Sequence, residues 1–133
     1  MSRTNARKNA FSLLFQLDFF NNEEIDNSKK IFFDENPDIG GGDMDYIVRA
    51  VDGTVEHISD IDKIISENLK GWTIERLNKV DLAILRLAVY EMLYDDETPD
   101  GIVINEAVEI AKKYSSDQAP GFINGILGKI SQR

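Results

Sequence analysis

Apolar residues recur along this chain at intervals of three and four, and sustained alternation of apolar and polar positions is hard to find. That pattern predicts helices throughout and an all-α fold. The first helix is predicted from about Thr4, as N-cap, to Phe20, with Ala6, Ala10, Leu13, Leu14 and Leu17 as a core stripe. Arg3, Arg7, Phe11, Phe15 and Phe19, spaced by four, trace a second stripe that drifts around the same helix. Phe11 and Phe19 are expected to widen the core face, and Phe15 to meet a partner. A second helix is predicted over about Glu24 to Phe33, ahead of Pro37 and the break Ile39-Gly-Gly-Gly42.

The third helix should begin near Asp43, with its carboxylate as cap, and bury Tyr46, Ile47, Ala50, Val51 and Val55. A fourth, from about Ile58 to Leu69, should stop before Gly71. Trp72 then falls in a turn, with Thr73 as N-cap, and is expected to anchor that turn against the core. Between Val80 and Leu93 only Asp81, Arg86 and Glu91 interrupt the apolar residues. A helix so apolar on every side belongs at the centre of a bundle, and each of its charges needs a partner or an exit to water. Asp81, near the helix start, is expected to be free to meet a cation. A sixth helix uses Ile104, Ala107, Val108, Ala111 and Tyr114, and a seventh opens after Ser115-Ser-Asp-Gln-Ala-Pro120. Gly121, Gly125 and Gly128 in that last helix are expected to let neighbouring backbone approach closely.

The 133 residues suit one domain, and no apolar run reaches the roughly 20 residues of a membrane span. The N-terminal residues lack the apolar core of a secretory signal, and there is no cysteine, so a cytoplasmic location is expected. The net charge of −9 argues at first against nucleic acid. Its distribution changes that: residues 1–17 carry +3, residues 112–133 carry +3, and the stretch between them carries −15. Two basic ends on an acidic body imply one patch for an anionic ligand and a separate surface for a basic protein, if the ends meet in space.

Catalytic chemistry is poorly supplied. His57 is the only histidine, so neither a histidine metal cluster nor a Cys/His dyad can be built. The glycine run at 40–42 lacks the lysine and Ser/Thr of a phosphate-binding loop and reads as a flexible linker. The paired carboxylates, such as Asp60/Asp62, follow no calcium-loop spacing. No cofactor and no metal are expected.

Ala6-Arg-Lys-Asn-Ala-Phe-Ser-Leu-Leu-Phe15, Arg86-Leu-Ala-Val-Tyr-Glu91, Ile104-Asn-Glu-Ala-Val-Glu-Ile-Ala-Lys112 and Phe122-Ile-Asn-Gly-Ile-Leu127 together resemble the NusB transcription antitermination family. The resemblance covers most of the chain and is weakest over about residues 21–45. It implies two packed three-helix bundles with about seven helices, here subdomains of about 1–57 and 58–133 within a single domain. It also implies a non-catalytic factor that binds the boxA element of ribosomal RNA leader transcripts with the ribosomal protein NusE, as an adaptor to RNA polymerase. Carried over by position, RNA contacts fall on Arg3, Arg7, Lys8, Gln118 and Phe122, and protein-partner contacts on Phe15 and Asp81. Thr4 and Asn5 stand where the family often adds arginines, which thins the basic arm. Other readings are the RNA-binding appendage of an rRNA cytosine methyltransferase and a self-associating scaffold that forms homodimers.

Overall fold

The computed structural model describes residues 2–16 and 22–133. They form seven α-helices: α1 (Arg3–Phe15), α2 (Asn22–Glu35), α3 (Gly41–Glu56), α4 (Ile58–Glu67), α5 (Lys79–Tyr94), α6 (Asp100–Tyr114) and α7 (Ala119–Ser131). A 3-10 turn, Ile74–Arg76, joins α4 to α5. Leu17, Phe19 and Phe20 lie outside the described residues.

The apolar run after Asn78 becomes the axis of the molecule. Every residue from Asp81 to Met92 is buried, and α5 packs against α1, α3, α4, α6 and α7. Its three charges are spaced by five residues, roughly 140° apart around the helix, so each faces a different neighbour. Asp81 accepts hydrogen bonds from Ser115 Oγ at 2.6 Å and Asn78 Nδ2 at 3.1 Å. Arg86 donates through Nε and Nη2 to the two oxygens of Asp62 on α4, at 2.9 and 2.8 Å. Glu91 accepts from Arg7 on α1 and Tyr46 on α3. The partners that a buried charge requires are therefore the same contacts that fix where α1, α3, α4 and the α6–α7 corner sit.

Helix starts differ from expectation at two places, in α1 and α3. Ser2, not Thr4, caps α1, its side chain accepting from the Asn5 amide at 3.1 Å. Asn78 caps α5 by accepting from the Asp81 amide at 2.8 Å. Such caps contribute about 1 kcal/mol each. The glycine run is no linker throughout: Gly41 and Gly42 are already helical, Gly40 takes the cap position, and Asp43 lies in the first turn. There its charge complements the helix dipole.

The glycines of α7 do not serve close packing, for a Cβ added to Gly121, Gly125 or Gly128 would meet nothing within 4 Å. The close approach is elsewhere. A Cβ on Gly53 of α3 would lie 2.2 Å from Cε1 of Tyr90, a ring that is only 5% exposed. Neighbouring Thr54 is fully buried, and its hydroxyl has no partner among the described residues.

Candidate nucleic-acid interface

The proposed contact residues do not form one surface. α1 lies along α6, with Arg3 beside Glu97 ahead of that helix, Arg7 near Glu106 within it, and Phe11 against Tyr114 at its end. Gln118 and Phe122 follow that same end, on the opposite side of the Ser115 corner from α6. At 1.5 Å per residue the 15 residues of α6 span roughly 22 Å, with Arg3 beside the residues ahead of that helix and Phe122 in the first turns of α7, beyond its end.

Arg7 is a correction. Its side chain is 4% exposed, and its Nε donates to both Glu91 oxygens, at 3.1 and 3.0 Å, while Nη2 donates to Thr98 Oγ1 at 3.1 Å. A guanidinium so enclosed cannot reach a phosphate without dismantling the core. Burial alone would lower its pKa, but the hydrogen bond and charge of Glu91 outweigh that and raise it. Burial likewise pushes the Glu91 carboxyl above its usual value, against the pull of Arg7 and Tyr46. Tyr46 is raised strongly, by burial first and the nearby Glu91 charge second, so its hydroxyl stays a donor.

Arg3 is partly engaged as well. It pairs with Asp43 at 3.6 Å and Glu97 at 3.4 Å and lies 4.4 Å from the Tyr46 ring centre. Arg133 at the other end donates to Asp100 at 3.0 Å and to the Met92 carbonyl at 2.7 Å. Much of the terminal charge seen in the sequence is thus neutralised within the fold. Lys8 is half-buried and makes no ion pair with a described residue.

Asp81 is the second correction. It is 6% exposed and holds Ser115 and Asn78, so it is no free carboxylate awaiting a cation. It does come together with Gln118 and Phe122, the three lining one cavity of about 370 Å³ where the ends of α6 and the starts of α5 and α7 meet. Phe15, the other protein-partner residue, is half-buried beside Phe11, with ring centres 6.4 Å apart. Phe11 itself is 6% exposed, as the core reading of that stripe requires.

Trp72 is the residue that sequence reasoning misplaced. It does not anchor its turn: it is 56% exposed and lines the same cavity as Phe122, together with Arg76. The preceding Gly71 has φ +72°, a conformation glycine adopts without strain. A signal was present, since Trp72 follows a helix stop and belongs to no helical stripe. Among the described residues no group of His, Cys, Asp and Glu is arranged to hold a metal, and no helix is long and apolar enough to cross a membrane.

A central helix buried from Asp81 to Met92 and packed against five others, with an aromatic cleft at one corner, defines an all-helical domain. Residues 4–132 match the model of the NusB family. The chain belongs to the NusB family. It is 39% identical over 131 residues to the transcription antitermination protein NusB of Agathobacter rectalis, covering 98% of this chain and 100% of that protein. The structure of T. maritima NusB superimposes with a TM-score of 0.89 at 34% identity, covering 100% of this chain and 92% of that one. A crystal structure of the antitermination factors NusB and NusE in complex with dsRNA gives a TM-score of 0.85 at 32% identity, covering 98% and 96%. Proteins of this family are non-catalytic transcription antitermination factors.

Proposed function

We propose that this antitermination factor binds the boxA element of ribosomal RNA leader transcripts together with NusE, and carries that complex to RNA polymerase in the cytoplasm. The observation that carries this reading is the full-length likeness to a protein crystallised with both NusE and RNA. The local chemistry agrees with it. Phe122 is half-buried at the cleft mouth, where one ring face can stack on an unpaired base. Gln118 is exposed on the same rim and its amide can both donate and accept. Lys8, and to a smaller extent the engaged Arg3, supply positive charge along α1. Phe15 offers the protein partner an aromatic contact, and the acidic middle of the sequence, at −15, suits a basic ribosomal protein. Asp81 contributes by holding the cleft floor.

Fluorescence anisotropy with a boxA-like single strand and a scrambled control, with and without NusE, tests the proposal. Preference for boxA that strengthens with NusE is expected. Equal affinity for both RNAs in both conditions would refute it.

A further inference from the structure

The cleft is two compartments rather than one. Trp72 and Phe122 line the cavity of about 370 Å³ that contains Arg76, and both also line a second cavity of about 280 Å³ that contains Lys70 and Lys129. The two aromatic side chains therefore form the shared wall between neighbouring spaces. The first volume lies in the range of small-ligand sites, roughly 300–1,000 Å³, and the second just below it.

Charge selects the occupant. Arg76, Lys70 and Lys129 make no ion pair with a described residue, and they outnumber the one carboxylate that lines either compartment, Asp81. Three uncompensated cations around two aromatic faces repel a basic protein. They attract a polyanion that carries planar apolar groups at regular intervals. Single-stranded RNA is that polymer, because its unstacked bases lie flat on aromatic rings while its phosphates meet lysine and arginine.

We propose that Trp72 is a base-stacking residue of this protein, and that the compartments on its two sides take two consecutive bases of one RNA strand. The inference rests on the RNA-binding reading above and adds to it a residue, a two-base register and three phosphate-facing cations. Exposure of the indole, at 56%, is what makes it available, and it stands with the half-buried Phe122 on the walls of both compartments.

Trp72 is the only tryptophan in the chain, so its fluorescence reports on this site alone. The test is a titration of the full chain with a boxA-like single-stranded RNA, with and without NusE, following both tryptophan emission and RNA anisotropy. Emission should fall as the RNA binds. Trp72→Ala should bind RNA about 5- to 150-fold more weakly, the range for losing one stacked base, while Trp72→Phe retains most of the affinity. NusE affinity and helical content should be unchanged in both variants. Unaltered emission, together with wild-type affinity in Trp72→Ala, would overturn the assignment while leaving RNA binding itself intact. Loss of NusE affinity in place of RNA affinity would also overturn it, placing Trp72 at a protein contact. No RNA binding by the unsubstituted protein, alone or with NusE, would overturn the functional reading beneath it.

Discussion

The Nε of Arg7 meets both carboxylate oxygens of Glu91, at 3.1 and 3.0 Å, with the two side chains 4% and 3% exposed. One residue stands on the first helix and the other on the central one, 84 positions apart. Removing either partner leaves an uncompensated charge in the core, a loss worth about 3–5 kcal/mol. Arg7→Ala is therefore expected to destabilise the fold by that amount, measured by urea unfolding. At temperatures where the variant remains folded, its RNA affinity should stay close to that of the unsubstituted protein.

The same pair makes a pH prediction. Burial raises the Glu91 carboxyl above 4.5, so across the interval above that value the folded chain holds the proton more tightly than the unfolded one. Stability contributed by such a group is complete below its unfolded pKa and declines as pH rises through the folded one. The stability difference between the unsubstituted protein and Glu91→Gln should accordingly shrink as pH rises from 4.5, measured by denaturant unfolding at a series of pH values. A difference that grows with pH would show that the ion pair with Arg7 outweighs burial.

Gly53 lies against the Tyr90 ring, and an alanine methyl would come within 2.2 Å of Cε1. Tyr90 is enclosed and its ring stacks near Tyr94, with centres 6.1 Å apart, so it cannot swing clear freely. Gly53→Ala should cost about 1–3 kcal/mol. Gly125→Ala, which meets open space, should stabilise α7 by about 0.5–1 kcal/mol. Thermal melts of the two variants should move in opposite directions.

Salt dependence separates engaged from available cations. Each phosphate contact contributes a slope of about 0.7 in log affinity against log salt for a single strand. Arg76→Ala and Lys129→Ala should each flatten the slope by about that amount. Arg3→Ala should flatten it less, because Arg3 already faces Asp43 and Glu97. Anisotropy titrations of boxA-like RNA at several salt concentrations would show this ordering.

Much of the fold is legible in the sequence because burial imposes a period. The run from Val80 to Leu93 reads as a central helix from its composition alone, and the need for partners at Asp81, Arg86 and Glu91 follows from the cost of buried charge. Which partners they find does not follow, since Ser115, Asp62 and Arg7 reach them only through tertiary packing. The basic N-terminus illustrates the limit: counting charge gives Arg3, Arg7 and Lys8 equal weight, yet burial removes Arg7 from the surface. Trp72 shows the converse. Size and apolarity place an indole inside by default, and only the turn at Gly71 carries it out to the cleft. The start of α1 is blurred for a local reason, because Ser2 and Thr4, two residues apart, can each cap a helix.

The corner between α5, α6 and α7 is the place where the RNA is expected to bind. Anisotropy of a boxA-like strand with Phe122→Ala, in the presence of saturating NusE, tests it most directly. The prediction is binding weakened about 5- to 150-fold, with NusE affinity nearly unchanged, at a temperature where the variant remains folded. RNA affinity equal to that of the unsubstituted protein would contradict it.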